Sequence, residues 1–202
     1  MKKILFTALP ITAIAILFLF QKNDPLPIGA TIPKQEVKMK DISGADVSFK
    51  DAQKKKGLLV MFSCNTCPIV IKYQSRTLET CQYALGNEIG VVLLNSNEGT
   101  RGNGDSYQDM INYAKVQGYN FKYVVDENSA MADAFGANRT PECFLFDKNG
   151  KLVYHGAMDD NSNDPDQVTR KHAIIAIDEM VAGKDISQKE SRSVGCSIKR
   201  KS

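Results

Sequence analysis

A single heptapeptide places the strongest constraint on what this chain can fold into: Phe62-Ser63-Cys64-Asn65-Thr66-Cys67-Pro68. The five residues that end at Phe62, starting from Leu58, are all apolar, which is typical of a strand buried on both faces of a sheet. Pro68 suits the first turn of a helix, because a proline there loses no hydrogen bond. We therefore predict a buried strand, a turn that carries Cys64 and Cys67, and then a helix.

The start of a helix gives a cysteine pair a chemical purpose. Free backbone N–H groups and the positive end of the helix dipole stabilise a thiolate, and they lower the pKa of a cysteine from about 8.5 to between about 3.5 and 7.5. We expect Cys64 to be the exposed nucleophile and Cys67 to be the more buried cysteine that resolves a mixed disulfide. The predicted redox-active group is a Cys64–Cys67 disulfide, and no other cofactor is expected.

Two other interpretations of the cysteine pair are weaker. A structural zinc ion needs four ligands, but the chain has only two histidines and no second C-x-x-C, so we expect no metal site. A permanent disulfide between Cys64 and Cys67 would close almost no loop and would constrain the unfolded chain little.

Strand-like and helix-like segments alternate along the rest of the chain. We predict an α/β fold in which a central mixed β-sheet is flanked by helices on both faces. The predicted segments are a hairpin from Val37 around Ser43-Gly44, strands at 58–62, 90–94, 122–125, 143–146 and 152–154, and helices at 68–85, 106–117, 129–135 and 172–181.

The N-terminus predicts export from the cytoplasm. Lys2 and Lys3 precede an uncharged apolar run from Ile4 to Phe20, so residues 1–22 are interpreted as a signal peptide or an N-terminal membrane anchor. Both alternatives place the body in an extracytoplasmic, oxidising space, with residues 4–20 as the only membrane contact if they stay uncleaved.

The domain boundaries follow from composition. Residues 23–33 contain three prolines and are predicted to be a linker, 34–185 form the folded domain, and 186–202 form a basic tail that contains Cys196. The net charge of +3 is too small for a dedicated nucleic-acid binder, so no nucleic-acid partner is expected.

At this point the chain resembles the thioredoxin superfamily, and more narrowly the extracytoplasmic thiol–disulfide oxidoreductases and peroxiredoxin-like redoxins. The resemblance rests on the strand–Cys64-x-x-Cys67–helix unit and on Arg139-Thr140-Pro141 before the strand at 143–146. It implies a thioredoxin-like fold with a cis-proline at Pro141 packed against the cysteine pair. The backbone of Thr140 would then be open to a substrate chain that pairs as an added strand.

A peroxiredoxin-like subgroup of that superfamily is more similar still. Its motifs have counterparts here in Cys64–Pro68, Asn95-Ser96-Asn97, Thr140-Pro141-Glu142, the segment 154–160 and Gly195-Cys196-Ser197-Ile198-Lys199. However, the chain lacks the Pro-x-x-x-Thr-x-x-Cys of true peroxiredoxins in either cysteine register. Efficient peroxidase chemistry is therefore not expected.

Three further residues are candidate auxiliaries. Cys196 is interpreted either as a third redox cysteine that relays electrons or as a free thiol in a tail that docks through Ile198. Arg139 would lend positive charge to a thiolate or a substrate, or else be an exposed loop residue. Asn95 ends a central strand on the side of the sheet where sites gather, and is either a polar helper or a turn residue.

The remaining candidates are expected to be structural. Cys81 and Cys143 are predicted to pack in the core and the sheet, since free cysteine is commonly buried. His155 is predicted to be solvated. The acidic stretch 159–166 is predicted to be a solvated loop, because it lacks the glycine and the terminal glutamate of an EF-hand.

The leading functional hypothesis is an oxidoreductase that exchanges a Cys64/Cys67 dithiol with a disulfide on a protein partner. One alternative is a thiol peroxidase of low efficiency. Another is a thioredoxin-fold carrier that binds Cu(I) through both thiolates.

Overall fold

The computed structural model of the chain describes residues 24–201. The strands are β1 Met39–Lys40, β2 Asp46–Val47, β3 Gly57–Ser63, β4 Ile89–Asn95, β5 Lys122–Val125, β6 Arg139–Thr140, β7 Glu142–Asp147, β8 Leu152–Gly156 and β9 Cys196–Ser197. The α-helices are α1 Phe49–Ala52, α2 Pro68–Lys72, α3 Gln74–Gly86, α4 Tyr107–Gln117, α5 Ala130–Phe135 and α6 His172–Val181. Short 3-10 helices lie at Glu98–Thr100, Glu127–Ser129 and Pro165–Gln167.

The central sheet has five strands in the order β5-β4-β3-β7-β8. Strands β3, β4 and β5 run parallel, whereas β7 is antiparallel to both β3 and β8. The predicted α/β class with a mixed sheet is therefore confirmed, and the apolar run Leu58–Phe62 forms the central strand, where every residue of β3 is buried.

Both faces of the sheet are covered because successive side chains of a strand point to opposite faces. Leu59 and Met61 pack in a core with α3, α4 and α6. Phe62, together with Leu58 and Val60, packs on the other face with α1 and α5. Phe135 of α5 lies at the centre of this second core, in contact with the rings of four other phenylalanines, Phe49, Phe62, Phe144 and Phe146.

The helix predicted over 68–85 is divided in two at Tyr73, between α2 and α3. The Tyr73 hydroxyl donates to Asp159 at 2.8 Å, and the Arg76 guanidinium lies 3.7 Å from the centre of the Tyr73 ring. Arg76 also forms a buried ion pair with Asp159 at 2.7 Å. Asp159 is thus buried, and its prediction as part of a solvated loop is wrong. The Tyr73 hydroxyl and the Arg76 guanidinium replace the water that the carboxylate loses on burial.

The described part of the segment 23–33 packs along the domain. Leu26 N–H donates to the carbonyl oxygen of Phe135, Gly29 N–H donates to that of Leu152, and the side chain of Ile32 is buried. These contacts differ from the linker that the prolines predicted, because Leu26, Ile28 and Ile32 supply enough apolar surface to join the second core. The apolar run 4–20 lies outside the described residues. Within residues 24–201, no helix combines the length and the apolar character needed to cross a bilayer.

The C-terminal tail is also integrated into the fold. Strand β9 pairs antiparallel with β6, with Cys196 opposite Thr140 and Ser197 opposite Arg139. Ile198 is buried in the second core, as the docked-tail interpretation expected. The tail therefore brings Cys196 to the edge that follows α5, rather than leaving it in solvent.

Candidate active site

The two cysteines of the C-x-x-C motif lie at the carboxyl end of the central strand. Cys64 follows Ser63, whose register partner is Asn95 at the end of the neighbouring strand β4. Cys67 is the N-cap residue of α2, and Pro68 is its first helical residue. The strand–turn–helix arrangement predicted for this segment is therefore present.

The disulfide of the described chain joins Cys67 to Cys196, which lie 129 residues apart in sequence with their Cα atoms 6.0 Å apart. Cys64 carries a free thiol. This pairing differs from the predicted Cys64–Cys67 disulfide. The reason is the register of β9, which places Cys196 opposite Thr140, the residue that also contacts Cys67.

Thr140 is the common neighbour of the cysteines. Its peptide bond to Pro141 is cis, as the resemblance implied. The Oγ1 atom of Thr140 lies 3.4 Å from Cys64 Sγ, and its carbonyl oxygen lies 3.4 Å from Cys67 Sγ. The side chains of Cys64, Cys67 and Cys196 pack in one small cluster with Val70.

Cys64 is not the exposed residue that the sequence suggested. Its exposed fraction is 0%, against 4% for Cys67. Burial raises the pKa of the Cys64 thiol; the Thr140 hydroxyl works in the opposite direction and the Asp105 carboxylate raises the pKa further. The predicted direction was downward, because the helix start was expected to act on a solvated thiol, whereas desolvation dominates here.

Asp105 is a residue of the candidate site that the sequence did not indicate. It is fully buried, yet it precedes α4 in a loop with no recognisable motif. Its carboxylate accepts hydrogen bonds from the backbone N–H of Asn65 at 2.8 Å and from the side chains of Thr66, Asn95, Asn97 and Thr100. Asp105 thereby fixes the turn between Cys64 and Cys67 to the end of β4.

Asn95 acts through this network rather than on a cysteine. Its amide donates to Asp105 at 2.8 Å and to the Tyr123 hydroxyl at 3.2 Å, and Tyr123 donates in turn to Asn65 Oδ1 at 2.9 Å. Asn95 is therefore one of the groups that hold Asn65 in place between the two cysteines.

A buried acid–imidazole pair supports the cis-proline loop. Glu142 Oε1 lies 2.8 Å from His155 Nε2, and Glu142 Oε2 accepts the backbone N–H groups of Asn138 and Arg139. His155 is buried, so its prediction as a solvated side chain is wrong: Glu142, on the neighbouring strand β7, supplies the partner that it needs away from water. A Glu that directly follows Thr-Pro was the available signal for this contact.

The side chain of Arg139 is exposed and contacts the tail. Its Nη1 donates to the carbonyl oxygen of Gly195 at 3.3 Å. Cys81 and Cys143 are buried, as predicted, and burial raises the pKa of both thiols. Neither is placed to react.

The main described cavity lies away from the cysteines. A cavity of 680 Å³ lies at the opposite end of the sheet, where Lys55, Lys56 and Lys151 line it, and no cysteine borders it. Among residues 24–201, no group of three or more histidine, cysteine or acidic side chains is arranged to hold a metal ion.

Several solved structures share this fold. The chain is similar to a solved uncharacterised conserved protein from Geobacillus kaustophilus, with 31% identity, a TM-score of 0.80, and coverage of 87% of this chain and 93% of that one. It is also similar to a hypothetical protein from Sinorhizobium meliloti 1021, with 28% identity, a TM-score of 0.81, and coverage of 89% and 97%. The thioredoxin domain of a thiol-disulfide oxidoreductase from Bacteroides vulgatus shares the fold at 19% identity, with a TM-score of 0.54 and coverage of 64% and 88%.

No curated protein matches the sequence. The family model that describes Redoxin matches residues 27–171, well over half of the chain. A thioredoxin-like sheet that carries a C-x-x-C beside a cis-proline agrees with that match, and the chain belongs to the Redoxin family of thiol oxidoreductases.

Proposed function

We propose that this protein is a thiol–disulfide oxidoreductase that exchanges electrons with cysteines of a protein partner. The observation that carries the proposal is the Cys67–Cys196 disulfide, which lies against the free thiol of Cys64 and the cis Thr140–Pro141 bond. Three sulfurs gathered at the end of a central strand can pair in more than one way, and exchange between such pairings is thiol–disulfide chemistry.

The reaction needs no group beyond the cysteines. In the reducing direction, a thiolate of the reduced pair attacks a partner disulfide, a mixed disulfide forms, and one partner sulfur leaves as a thiolate. The second cysteine of the pair then attacks the mixed disulfide, so the other partner sulfur leaves as well. Two electrons pass from the pair to the partner, and the same steps reversed oxidise a partner dithiol.

Cys64 gives the site a second pairing. As a thiolate it can attack Cys67 Sγ, which breaks the Cys67–Cys196 bond, forms Cys64–Cys67 and releases Cys196 as a thiolate. No electrons leave the protein in this step. The Cys64–Cys67 couple expected from the C-x-x-C motif is therefore one internal exchange away from the pairing in the structure, and Cys67 is the sulfur common to both.

We further propose that the protein works outside the cytoplasm. A disulfide persists in oxidising compartments and is rare in the cytosol. The lysines and the apolar run of residues 2–20 support the same compartment. Residues 4–20 are its proposed membrane contact if they remain uncleaved.

One observation favours a peroxidase as the second candidate. The Thr140 hydroxyl lies 3.4 Å from Cys64 Sγ, where it can donate to a bound oxygen. Against it, Cys64 is closed to solvent and its raised pKa disfavours the thiolate that peroxide chemistry needs. Cu(I) binding by the reduced thiolates is the alternative outside enzymology.

The test is reduction of insulin disulfides by the protein in the presence of dithiothreitol. We expect the wild type to accelerate the reaction and Cys67→Ser to abolish the acceleration, because both pairings lose their common sulfur. Cys81→Ala, which removes a buried sulfur elsewhere, is the matched control and should keep the activity.

Full activity in Cys67→Ser would contradict the proposal. Peroxide consumption at a rate comparable with disulfide exchange would favour the peroxidase. Tight Cu(I) binding by the reduced protein, without exchange activity, would favour the carrier.

A further inference from the structure

Strand β9 occupies the edge where a partner chain was expected to pair. Cys196 lies opposite Thr140, and the contact is close: a Cβ added to Gly195 would lie 2.2 Å from the carbonyl oxygen of Thr140 and 2.7 Å from its carbonyl carbon. Glycine is the residue that lets the two backbones approach this far. While β9 is in place, no second chain can reach the backbone of β6 on this side.

The tail is also held by contacts that do not involve its sulfur. Ile198 is buried, and its N–H donates to the carbonyl oxygen of Asn138 at 3.1 Å. The next two residues continue the attachment through Lys199 N–H to Asn97 Oδ1 at 2.9 Å, Gly99 N–H to the carbonyl oxygen of Lys199 at 2.7 Å, and Arg200 Nε to Asp133 Oδ1 at 2.8 Å. None of these contacts involves Cys67 or Cys196, so we expect them to hold the tail when the Cys67–Cys196 bond is broken.

The three sulfur-bearing residues differ in access. Cys64 has no exposed surface and Cys67 has 4%, whereas Cys196 is only partly buried. An attacking thiolate must reach the sulfur that it attacks, so access decides which sulfur of a disulfide reacts. Of the two residues that form the disulfide, Cys196 keeps the larger exposed surface, so we infer that a large reactant approaches the bond from its side.

Building on the exchange function proposed above, we propose that Cys196 is the sulfur through which this protein exchanges electrons with its partner, while β9 stays paired with β6. A partner thiolate attacks Cys196 Sγ, a partner–Cys196 disulfide forms, and the bonding pair of the old disulfide leaves with Cys67 as a thiolate. A second thiol of the partner loses its proton to solvent. The resulting thiolate attacks the partner sulfur of the mixed disulfide, which forms a disulfide within the partner and releases Cys196 as a thiolate. The partner is oxidised by two electrons, and the Cys67/Cys196 pair is reduced by two.

The surface around Cys196 indicates the charge of that partner. Arg139 pairs in register with Ser197 and is exposed, and the Lys199 ammonium group donates to the Ser197 hydroxyl at 3.2 Å. Both cations therefore border the strand that carries Cys196. A rim of this sign attracts a partner cysteine flanked by acidic residues and repels one flanked by basic residues.

The test compares two full-length variants that each keep one candidate sulfur. Cys64→Ser/Cys67→Ser keeps Cys196, and Cys67→Ser/Cys196→Ser keeps Cys64. The probe is 5,5′-dithiobis(2-nitrobenzoate), and the readout is the second-order rate constant for thionitrobenzoate release from the native protein. We expect the variant that keeps Cys196 to react at least about tenfold faster, because Cys196 is only partly buried whereas Cys64 has no exposed surface. An equal or faster rate for the Cys64 variant, or rates typical of a buried thiol in both, overturns the proposal.

Two measurements on the wild type keep the result independent of variant folding. Substoichiometric iodoacetamide on the reduced protein should alkylate Cys196 first in a peptide map; first alkylation of Cys64 or Cys67 overturns the proposal. In hydrogen exchange, the amides of Ile198 and Lys199 should stay protected after reduction, and loss of that protection overturns the claim that β9 remains in place.

The charge of the partner is tested with two small disulfides. At low ionic strength, the anionic glutathione disulfide should react severalfold faster with the reduced wild type than the cationic cystamine does, and the difference should shrink in salt. Equal rates at low salt, or a faster reaction of cystamine, refute the cationic rim. These probes are not proteins, so an inactive insulin assay with reactive Cys196 would refute the protein-exchange function alone.

Discussion

Removal of the Cys67–Cys196 disulfide should cost this domain a large part of its stability. The bond closes a loop of 129 residues, which spans β4 to β8 and all the helices from α2 to α6. In the chain-entropy model, a loop of this length restricts the unfolded state by about 5 kcal/mol at 25 °C. With a urea m-value of about 2 kcal/mol/M, the unfolding midpoint should fall by about 2.5 M.

The assay is urea unfolding followed by far-UV circular dichroism, with and without dithiothreitol. We expect the oxidised wild type to have the highest midpoint, and the reduced wild type and Cys196→Ser to unfold together at the lower one. Cys64→Ser is the matched control, since it changes a neighbouring sulfur but keeps the disulfide. Its midpoint should still drop when reductant is added.

The disulfide stabilises the domain because it restricts the unfolded chain. Cys196→Ser lacks this restriction, so adding reductant should not lower its urea midpoint further. Two results would refute the reasoning. The first is a wild-type midpoint that does not respond to complete reduction. The second is a Cys64→Ser variant that loses the response, which would mean that Cys64 and not Cys196 forms the stable pair with Cys67.

Three further changes test other parts of the site. Gly195→Ala pushes a methyl group against the carbonyl oxygen of Thr140. The ratio of Cys67–Cys196 disulfide to free dithiol at a fixed glutathione ratio should therefore fall by about tenfold, which corresponds to about 1.4 kcal/mol, and an unchanged ratio would refute the close approach. Asp105→Asn removes a negative charge that raises the pKa of Cys64, so the pH profile of Cys64 alkylation should move to lower pH. Burial should still keep the pKa of Cys64 above that of a free cysteine. A shift of the profile to higher pH would refute this electrostatic role. Asp159→Ala leaves the buried guanidinium of α3 unpaired and should lower the free energy of unfolding by about 3–5 kcal/mol in a denaturant titration, whereas a loss below about 1 kcal/mol would show that water replaces the pair.

The parts of the fold that could be predicted were those in which neighbouring residues show a clear hydrophobic pattern. The apolar run that ends at Phe62 has no polar position to place toward solvent, and it became the central strand. The helix 172–181 was predicted at its observed limits, because its apolar residues face the core at helical spacing. The break at Tyr73 was missed; the hydroxyl of this residue bonds to Asp159, 86 positions away, and the local pattern contains no sign of that contact.

The pairing of the cysteines could not be predicted, because connectivity is not encoded in spacing. Cys196 reaches Cys67 through the pairing of two-residue strands, which are too short to produce a periodic signal. Arg139 and Asn95 were singled out at the correct end of the sheet, but the structure connects Arg139 to the tail and Asn95 to Asp105. Asp105 itself escaped notice because its five hydrogen-bond donors come from three separate segments.

The burial of Cys64 also explains why the Cys67–Cys196 pairing can persist beside a free thiol. Attack on Cys67 requires the Cys64 thiolate. Desolvation and the Asp105 carboxylate disfavour that form and raise the pKa of Cys64, although hydrogen bonds from the Thr140 hydroxyl and from the backbone of Thr66 and Cys67 act in the opposite direction. We therefore expect internal exchange to Cys64–Cys67 to be slower at neutral pH than exchange by an ordinary thiol, and to become faster as the pH rises toward the raised pKa of Cys64. In the exchange proposed above, this arrangement keeps the partly buried Cys196 available to a partner, and it keeps the fully buried Cys64 from rearranging the disulfide before the partner binds.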